Sequence, residues 1–293
     1  MNSSETKVFY GTIKCQKCSR NLAYWLSQTS YLCGVCSKKD KQRVQLTKNK
    51  AEKQSFRNEE LASHQKTIEL AKESNKKNGK SGTLICSKMR MMKNPELYQG
   101  FINIFPNFRH GSRKDGIGLP SLSPMSIGPI KHNQPGLPEC KNLENFHQFN
   151  KVFADEIDEK GNVTKLFFDR QLEAYNDPVP HRHKPNSKKK NAPVFSIWKD
   201  ESGKLVRLSY IESRQLYCHY YAESVLQNSD FKNLQTMLEN GYNLCIYGYD
   251  AYNVDKPLEE CYLDPSRPFG HECVLYCLLK NEFPWRKYKT LKF

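Results

Sequence analysis

No stretch of this chain is apolar for long enough to cross a bilayer, since a spanning helix needs roughly 20 consecutive apolar residues. The opening residues, Met1-Asn-Ser-Ser-Glu-Thr-Lys, lack the apolar core of a secretory signal. The expectation is an intracellular protein, in cytoplasm or nucleus, with no membrane partner. Apolar residues are sparse throughout: 38% of 293, with a mean hydropathy of -0.77. That is low for one compact domain of this length, so part of the chain is expected to be extended or solvent-exposed. Acidic residues are in deficit. The 31 Asp and Glu against 46 Lys and Arg leave a net charge of +15. A surplus of this sign points to a polyanionic partner such as DNA or RNA. Cysteine is not scarce. Eleven of them, an odd number, favour thiols and metal ligands over disulfides inside a cell.

Four of those cysteines form the strongest local pattern. Cys15-Gln-Lys-Cys18 and Cys33-Gly-Val-Cys36 are two CxxC pairs separated by fourteen residues. Each pair wraps two thiolates onto one metal, and the gap suits a hairpin between two knuckles. Four thiolates in a tetrahedron fit a structural Zn2+. A redox pair or unrelated thiols are the alternatives. Tyr24, Trp25 and Tyr31 lie between the knuckles, with Lys14, Lys17 and Arg20 close by. Aromatics among bases either stack on nucleic acid or form the small core that a zinc module needs.

The composition then divides the chain. Residues 1–40 read as the zinc module and 41–82 as a basic, partly helical linker. Residues 38 to 80 hold thirteen Lys or Arg against six Asp or Glu, a run that is usually a solvated face and sometimes a phosphate contact. The remainder, 83–293, reads as one domain with an insertion at about 155–205.

Within that domain the organising stretch is Asn142-Leu-Glu-Asn-Phe-His-Gln-Phe-Asn-Lys-Val-Phe153. Asn142 is a helix cap, and Leu143, Phe146 and Phe153 recur at helical spacing. Glu144, His147 or Gln148, and Lys151 fall on one face. Glu144 sits in the first turn, where the helix dipole favours a carboxylate. An anion, an amide and a cation on one face either bind a polar ligand or form an ordinary solvated stripe.

Other elements follow from local patterns. Leu84-Ile-Cys and the run from Gly100 to Pro106 read as short buried strands. Lys165-Leu-Phe-Phe reads as another strand. Pro178 to Pro193 reads as a basic, mobile loop carrying His181 and His183, a weak metal pair. Leu208 to Asn240 is a long helical pattern broken near Asn228 and ended by Gly241. Tyr242 to Tyr247 alternates as a strand, with Asp250-Ala-Tyr252 beyond its C-terminal end, a favoured place for site residues. Phe269-Gly-His-Glu opens a last apolar helix.

In order and spacing, residues 119 to 285 resemble the NADAR (YbiA-like) family. Leu122-Ser-Pro stands where members have a Ser/Asn-rich turn. Glu144, Gln148 and Lys151 match the spacing of a Glu, Gln, Lys motif, Asp250-Ala-Tyr252 an Asp-Ala step, and Phe269-Gly-His-Glu272 a Gly-rich turn that here keeps Gly270 alone. The resemblance implies an α+β fold, mainly helical, with a few short strands. It implies hydrolysis of a ribosyl C–N bond, in some members on a ribosylamino-pyrimidine and in others removing ADP-ribose from guanine in DNA. Such chemistry needs a fixed carboxylate near the anomeric carbon and a base for water. Glu144 is the candidate carboxylate and Asp250 the second acid. Gln148, Lys151 and His147 line the substrate site, Tyr210 and Tyr252 stack on the base, and Gly270 lies at the last turn. No organic cofactor is implied. The alternatives are an inactive member that binds ADP-ribose or nucleic acid through the zinc module and basic surface, and a zinc-ribbon factor resting on the N-terminal module alone. The combination suits a large DNA virus acting in its host cell, or a eukaryote.

Overall fold

The computed structural model describes residues 12–14, 21–23, 34–90, 93–107, 113–183, 192–249 and 252–287. Before residue 49 it describes only the side chains of residue 39, residue 42 and residues 45–47. The chain divides into two units, Met1–Ser63 and His64–Phe293.

In the first unit β1 (Thr12–Lys14) and β2 (Asn21–Ala23) form an antiparallel pair, Thr12 opposite Ala23 and Lys14 opposite Asn21. Helix α1 begins at Gly34 and runs to Lys77. The predicted zinc ligands Cys15, Cys18 and Cys33 lie outside the described residues, as does the side chain of Cys36. After Gly34, α1 contains neither Gly nor Pro, so nothing in it breaks the helical hydrogen-bond ladder. Spaced polar pairs support its exposed surface, among them Arg57 with Glu60 at 2.6 Å and Gln54 with Asn58 at 3.0 Å. The segment read as a partly helical linker is therefore one continuous helix as far as Lys77. Gly79, at φ +62°, follows its end.

The last turns of α1 belong to the second unit. Ile68 is buried. His64 Nε2 donates to the Phe101 carbonyl at 2.9 Å, and Asn75 Nδ2 to the Gly241 carbonyl at 2.9 Å.

The second unit is mixed α and β. Strands β3 (Leu84–Met89), β4 (Phe101–Phe105) and β5 (Ile117–Gly118) join β9 (Asn243–Tyr249) in a sheet ordered β3-β9-β4-β5. Every pairing in it is parallel. β9 is central, and Leu244, Cys245, Ile246 and Tyr247 are each fully buried. A central parallel strand is covered on both faces, so the alternation expected of 242–247 gives way to a continuous buried run. Leu244 and Ile246 face the main core, while Cys245 and Tyr247 join Met89 and Phe105 on the other side.

Between β5 and β9 come α2 (Leu143–Gln148), β6 (Lys151–Val152), α3 (Lys165–Asn176), β7 (Phe195–Lys199), β8 (Leu205–Leu208), α4 (Tyr210–Leu226) and α5 (Ser229–Glu239). After β9 come α6 (Leu258–Leu263), α7 (His271–Lys280) and α8 (Pro284–Lys287). β6, β7 and β8 form a second, antiparallel sheet. Helices α4 and α7 pack together, and α7 lies on β3 and β9. No helix among the described residues is long and apolar enough to cross a membrane.

Two local expectations are corrected. Lys165-Leu-Phe-Phe opens helix α3 rather than a strand, because its buried positions Phe167, Gln171, Ala174 and Tyr175 follow a helical period that the short apolar run hides. The predicted 142–153 helix ends at Gln148. Asn150 turns back, its Nδ2 donating to the Phe146 carbonyl at 2.9 Å, and the chain leaves to pair β6 with β7. Within the stretch read as an insertion at about 155–205, Tyr175 and Trp198 are part of the main core.

Candidate functional site

Asn142 caps α2 as expected, its Oδ1 accepting from the Asn145 amide at 2.8 Å. The loop before it closes on the same helix end. The Leu143 amide donates to the Ile127 carbonyl at 2.8 Å and the Glu144 amide to the Pro124 carbonyl at 3.0 Å. With the backbone fixed at both points, Glu144 has a set direction. Gln148 Nε2 donates to Glu144 Oε1 at 3.0 Å, and Lys151 Nζ donates to Gln148 Oε1 at 3.4 Å. Three predicted residues thus form one relay, although Lys151 stands on β6 rather than on the helix. Among the described residues, Glu144 Oε2 has no hydrogen-bond partner.

Burial gives the group unusual electrostatics. The Lys151 ammonium is pulled down to about 8, chiefly by burial; Glu144 opposes the fall and Arg182 adds to it. His147 lies well below its ordinary range, from burial first and then from the Lys151 charge, so at neutral pH it is uncharged. Its ring stands 4.7 Å from that of Tyr217 on α4. Burial drives the Tyr217 hydroxyl well up, helped by Tyr221, Glu272 and Glu144. The carboxylates of α2 and α7 therefore act on the same hydroxyl.

The α7 side of the site comes from the turn at Gly270. His271 Nε2 reaches the Pro106 carbonyl at 2.8 Å, which seats the start of α7 at the carboxyl end of β4. Glu272, 5% exposed, follows at once. A Cβ at Gly270 would meet both carboxylate oxygens of Glu272 at 2.6 Å. Tyr221 closes the seam: its hydroxyl donates to the Leu122 carbonyl at 2.8 Å, and its ring lies 6.1 Å from that of His271. The arrangement stands at the carboxyl edge of the parallel sheet, where open α/β sheets commonly bind ligands.

A fourth side comes from the loop after α3. Asn145 is fully buried and anchors it, its Nδ2 donating to the carbonyls of Ala174, Asp177 and Val179 and its Oδ1 accepting from the His181 amide at 2.6 Å. His183 is buried against Phe149, their rings stacked at 4.6 Å, with Nε2 donating to Glu156 at 2.8 Å. The loop read as mobile is thus pinned as far as His183, and it carries the exposed Arg182 near Lys151. Phe149, Arg170, Arg182 and His181 line a cavity of 340 Å³ there.

The remaining predicted residues fall elsewhere. Tyr210 is 54% exposed and its ring lies under the Arg214 guanidinium at 4.8 Å. Seven helical residues put it roughly 10 Å from Tyr217 along α4. Tyr252 is 39% exposed beneath Arg267 at 4.9 Å. Asp250 lies outside the described residues. Tyr217, Tyr221, His271 and Glu272 take part without having been predicted. The tyrosines looked like an ordinary buried helix face, and Glu272 stood in the Phe269-Gly-His-Glu272 turn matched to the family, of which only Gly270 was taken as a site residue. Among the described residues, no group of three or more His, Cys, Asp or Glu is arranged to hold a metal ion.

Comparison with protein-family models, curated proteins and solved structures finds no match for this chain.

Proposed function

We propose that this chain is a NADAR-like N-glycosidase that hydrolyses a ribosyl C–N bond, with ADP-ribose on a nucleobase of DNA or RNA as the substrate class. The observation that carries this reading is the Glu144 relay. Glu144 has one oxygen held by Gln148 and the other open, and it stands beside a buried cation and the Tyr217 and His147 rings. Cleaving the bond builds positive charge on the sugar, which a fixed carboxylate stabilises while it takes a proton from water. Lys151 and Arg182 supply positive charge for a phosphorylated substrate.

The exposed Lys39, Lys50 and Lys53 on α1 favour contact with a nucleic-acid backbone. In this reading Cys15, Cys18, Cys33 and Cys36 hold a structural Zn2+ that folds the N-terminal module. A panel of ribosylated nucleobases, free and within oligonucleotides, tests the activity by mass detection of the released base. Release by wild type and not by Glu144→Gln supports it. Equal release by both sinks it. Saturable retention without release supports instead an inactive protein that binds ADP-ribose or nucleic acid, and steep weakening with salt marks the nucleic-acid mode.

A further inference from the structure

The covered face of α1 follows a helical period through its last turns. Leu61, His64, Ile68, Ala71 and Asn75 are buried or half-buried there, and His64 and Asn75 bond the carbonyls of Phe101 and Gly241. Carried back in three-, four- and seven-residue steps, the same face comes to Lys53, Lys50, Leu46 and Lys39. At 3.6 residues per turn, all nine positions fall within about 80° around the helix. The last four are exposed.

The charge of α1 is divided in the same way. Residues 34–57 hold eight Lys or Arg against two Asp or Glu, and residues 58–77 hold four against four. Arg57 and Lys72 have acidic partners one turn away, Glu60 at 2.6 Å and Glu69 at 3.3 Å. No acid stands three or four residues from Lys39, Lys50 or Lys53. Among the described residues none of these three has a salt-bridge partner. Lys50 and Lys53 are neighbours on the helix surface, so their like charges weaken the helix on its own, and an external anion relieves that repulsion. Between Lys39 and Lys53, Leu46 is the only apolar residue on the face. One leucine does not make the apolar stripe that a partner helix or protein surface would pack on.

We propose that this face of α1 docks on the phosphate backbone of a nucleic-acid duplex, with Lys39, Lys50 and Lys53 as its phosphate contacts. Lys39 and Lys53 stand roughly 21 Å apart along the axis, a span of about six base pairs. A single strand fits less well. Proteins hold single strands by stacking bases on aromatic side chains, and in residues 34–57 the only aromatic is Phe56, which lies off this face. The assignment deepens the nucleic-acid part of the proposed function and is independent of the cleavage chemistry.

The test is a binding titration of full-length protein with a short unmodified duplex, across salt from about 50 to 200 mM. Three proteins are compared: the wild type, the variant Lys39→Gln, Lys50→Gln, Lys53→Gln, and a charge-matched control, Lys66→Gln, Lys76→Gln, Lys77→Gln. Gln and Lys have similar helix propensity, so circular dichroism should be unchanged in both variants. The first variant should lose at least tenfold in affinity at about 0.1 M salt. Its slope of log affinity against log salt should be shallower by about 2.7, or 0.9 for each lost phosphate contact. The control should lose less than threefold. Equal losses in the two variants would mean that diffuse positive charge does the binding, and would overturn the proposal. So would wild-type affinity in the first variant, or a loss on a single strand of the same length as large as that on the duplex. Binding to phosphatidylserine vesicles but not to the duplex would overturn it in favour of a membrane surface. Loss of turnover on ribosylated substrates with this binding pattern intact would remove the glycosidase reading alone.

Discussion

Replacing Lys151 by Met should stabilise the fold while removing function. The ammonium is moved from its ordinary 10.5 to about 8, mainly by burial. At about 1.4 kcal/mol per decade, holding that charge costs about 3 kcal/mol of folding free energy. Met fills nearly the same space without a charge. Part of the gain is offset because Glu144 loses its cation, so a net gain of about 2 kcal/mol is expected at pH 7. The sign of the pH dependence is fixed by linkage. Below about 8 both folded and unfolded chains hold the proton and the cost is fully present. Between about 8 and 10.5 the unfolded chain binds more protons than the folded one, so wild-type stability rises with pH. Urea unfolding of wild type and Lys151→Met at pH 7, 9 and 10.5, under reducing conditions, should show the variant ahead at pH 7 and the gap closing by pH 10.5. A variant less stable than wild type at pH 7, or a gap that does not change with pH, refutes the reasoning.

Three further outcomes are expected. Gly270→Ala keeps an accessible backbone, φ being -83°, but its Cβ must displace the Glu272 carboxylate; turnover should fall at least tenfold with little change in unfolding midpoint. Asn145→Ala removes three donated bonds and one accepted bond in a buried site; denaturant unfolding should register a loss of about 3 kcal/mol, and weaker anion binding should accompany release of the Arg182 loop. His147 should remain neutral well below its ordinary 6.5 because burial and the Lys151 charge both oppose its protonation; an NMR titration midpoint at or above 6.5 would contradict that.

Local signals in the sequence went far where structure is local. Asn142 as a cap, the break at Asn228, the end at Gly241 and the strands around Leu84 and Phe101 are all set by short-range chemistry, and each is found. The errors arise where a partner distant in sequence decides. Helix α2 stops early because β7 takes the next residues as β6. Helix α3 is hidden because its inner stripe includes Gln171 and Ala174, which do not look like core. The site was legible on α2, where Glu144, Gln148 and Lys151 are adjacent in sequence. It was not legible across α4 and α7, because only the packed helices bring Tyr217 and Glu272 to the same place. Tyr210, expected to stack on the base, lies against Arg214, whose guanidinium holds the carbonyls of Tyr262, Asp264 and Arg267.

The most direct test of the central claim is to incubate the purified chain, and Glu144→Gln, with guanine-ADP-ribosylated single-stranded DNA and to follow free ADP-ribose by mass. The account predicts release by the wild type and none above background by the variant, with both retaining the same unfolding midpoint. Release by Glu144→Gln at the wild-type rate would contradict it.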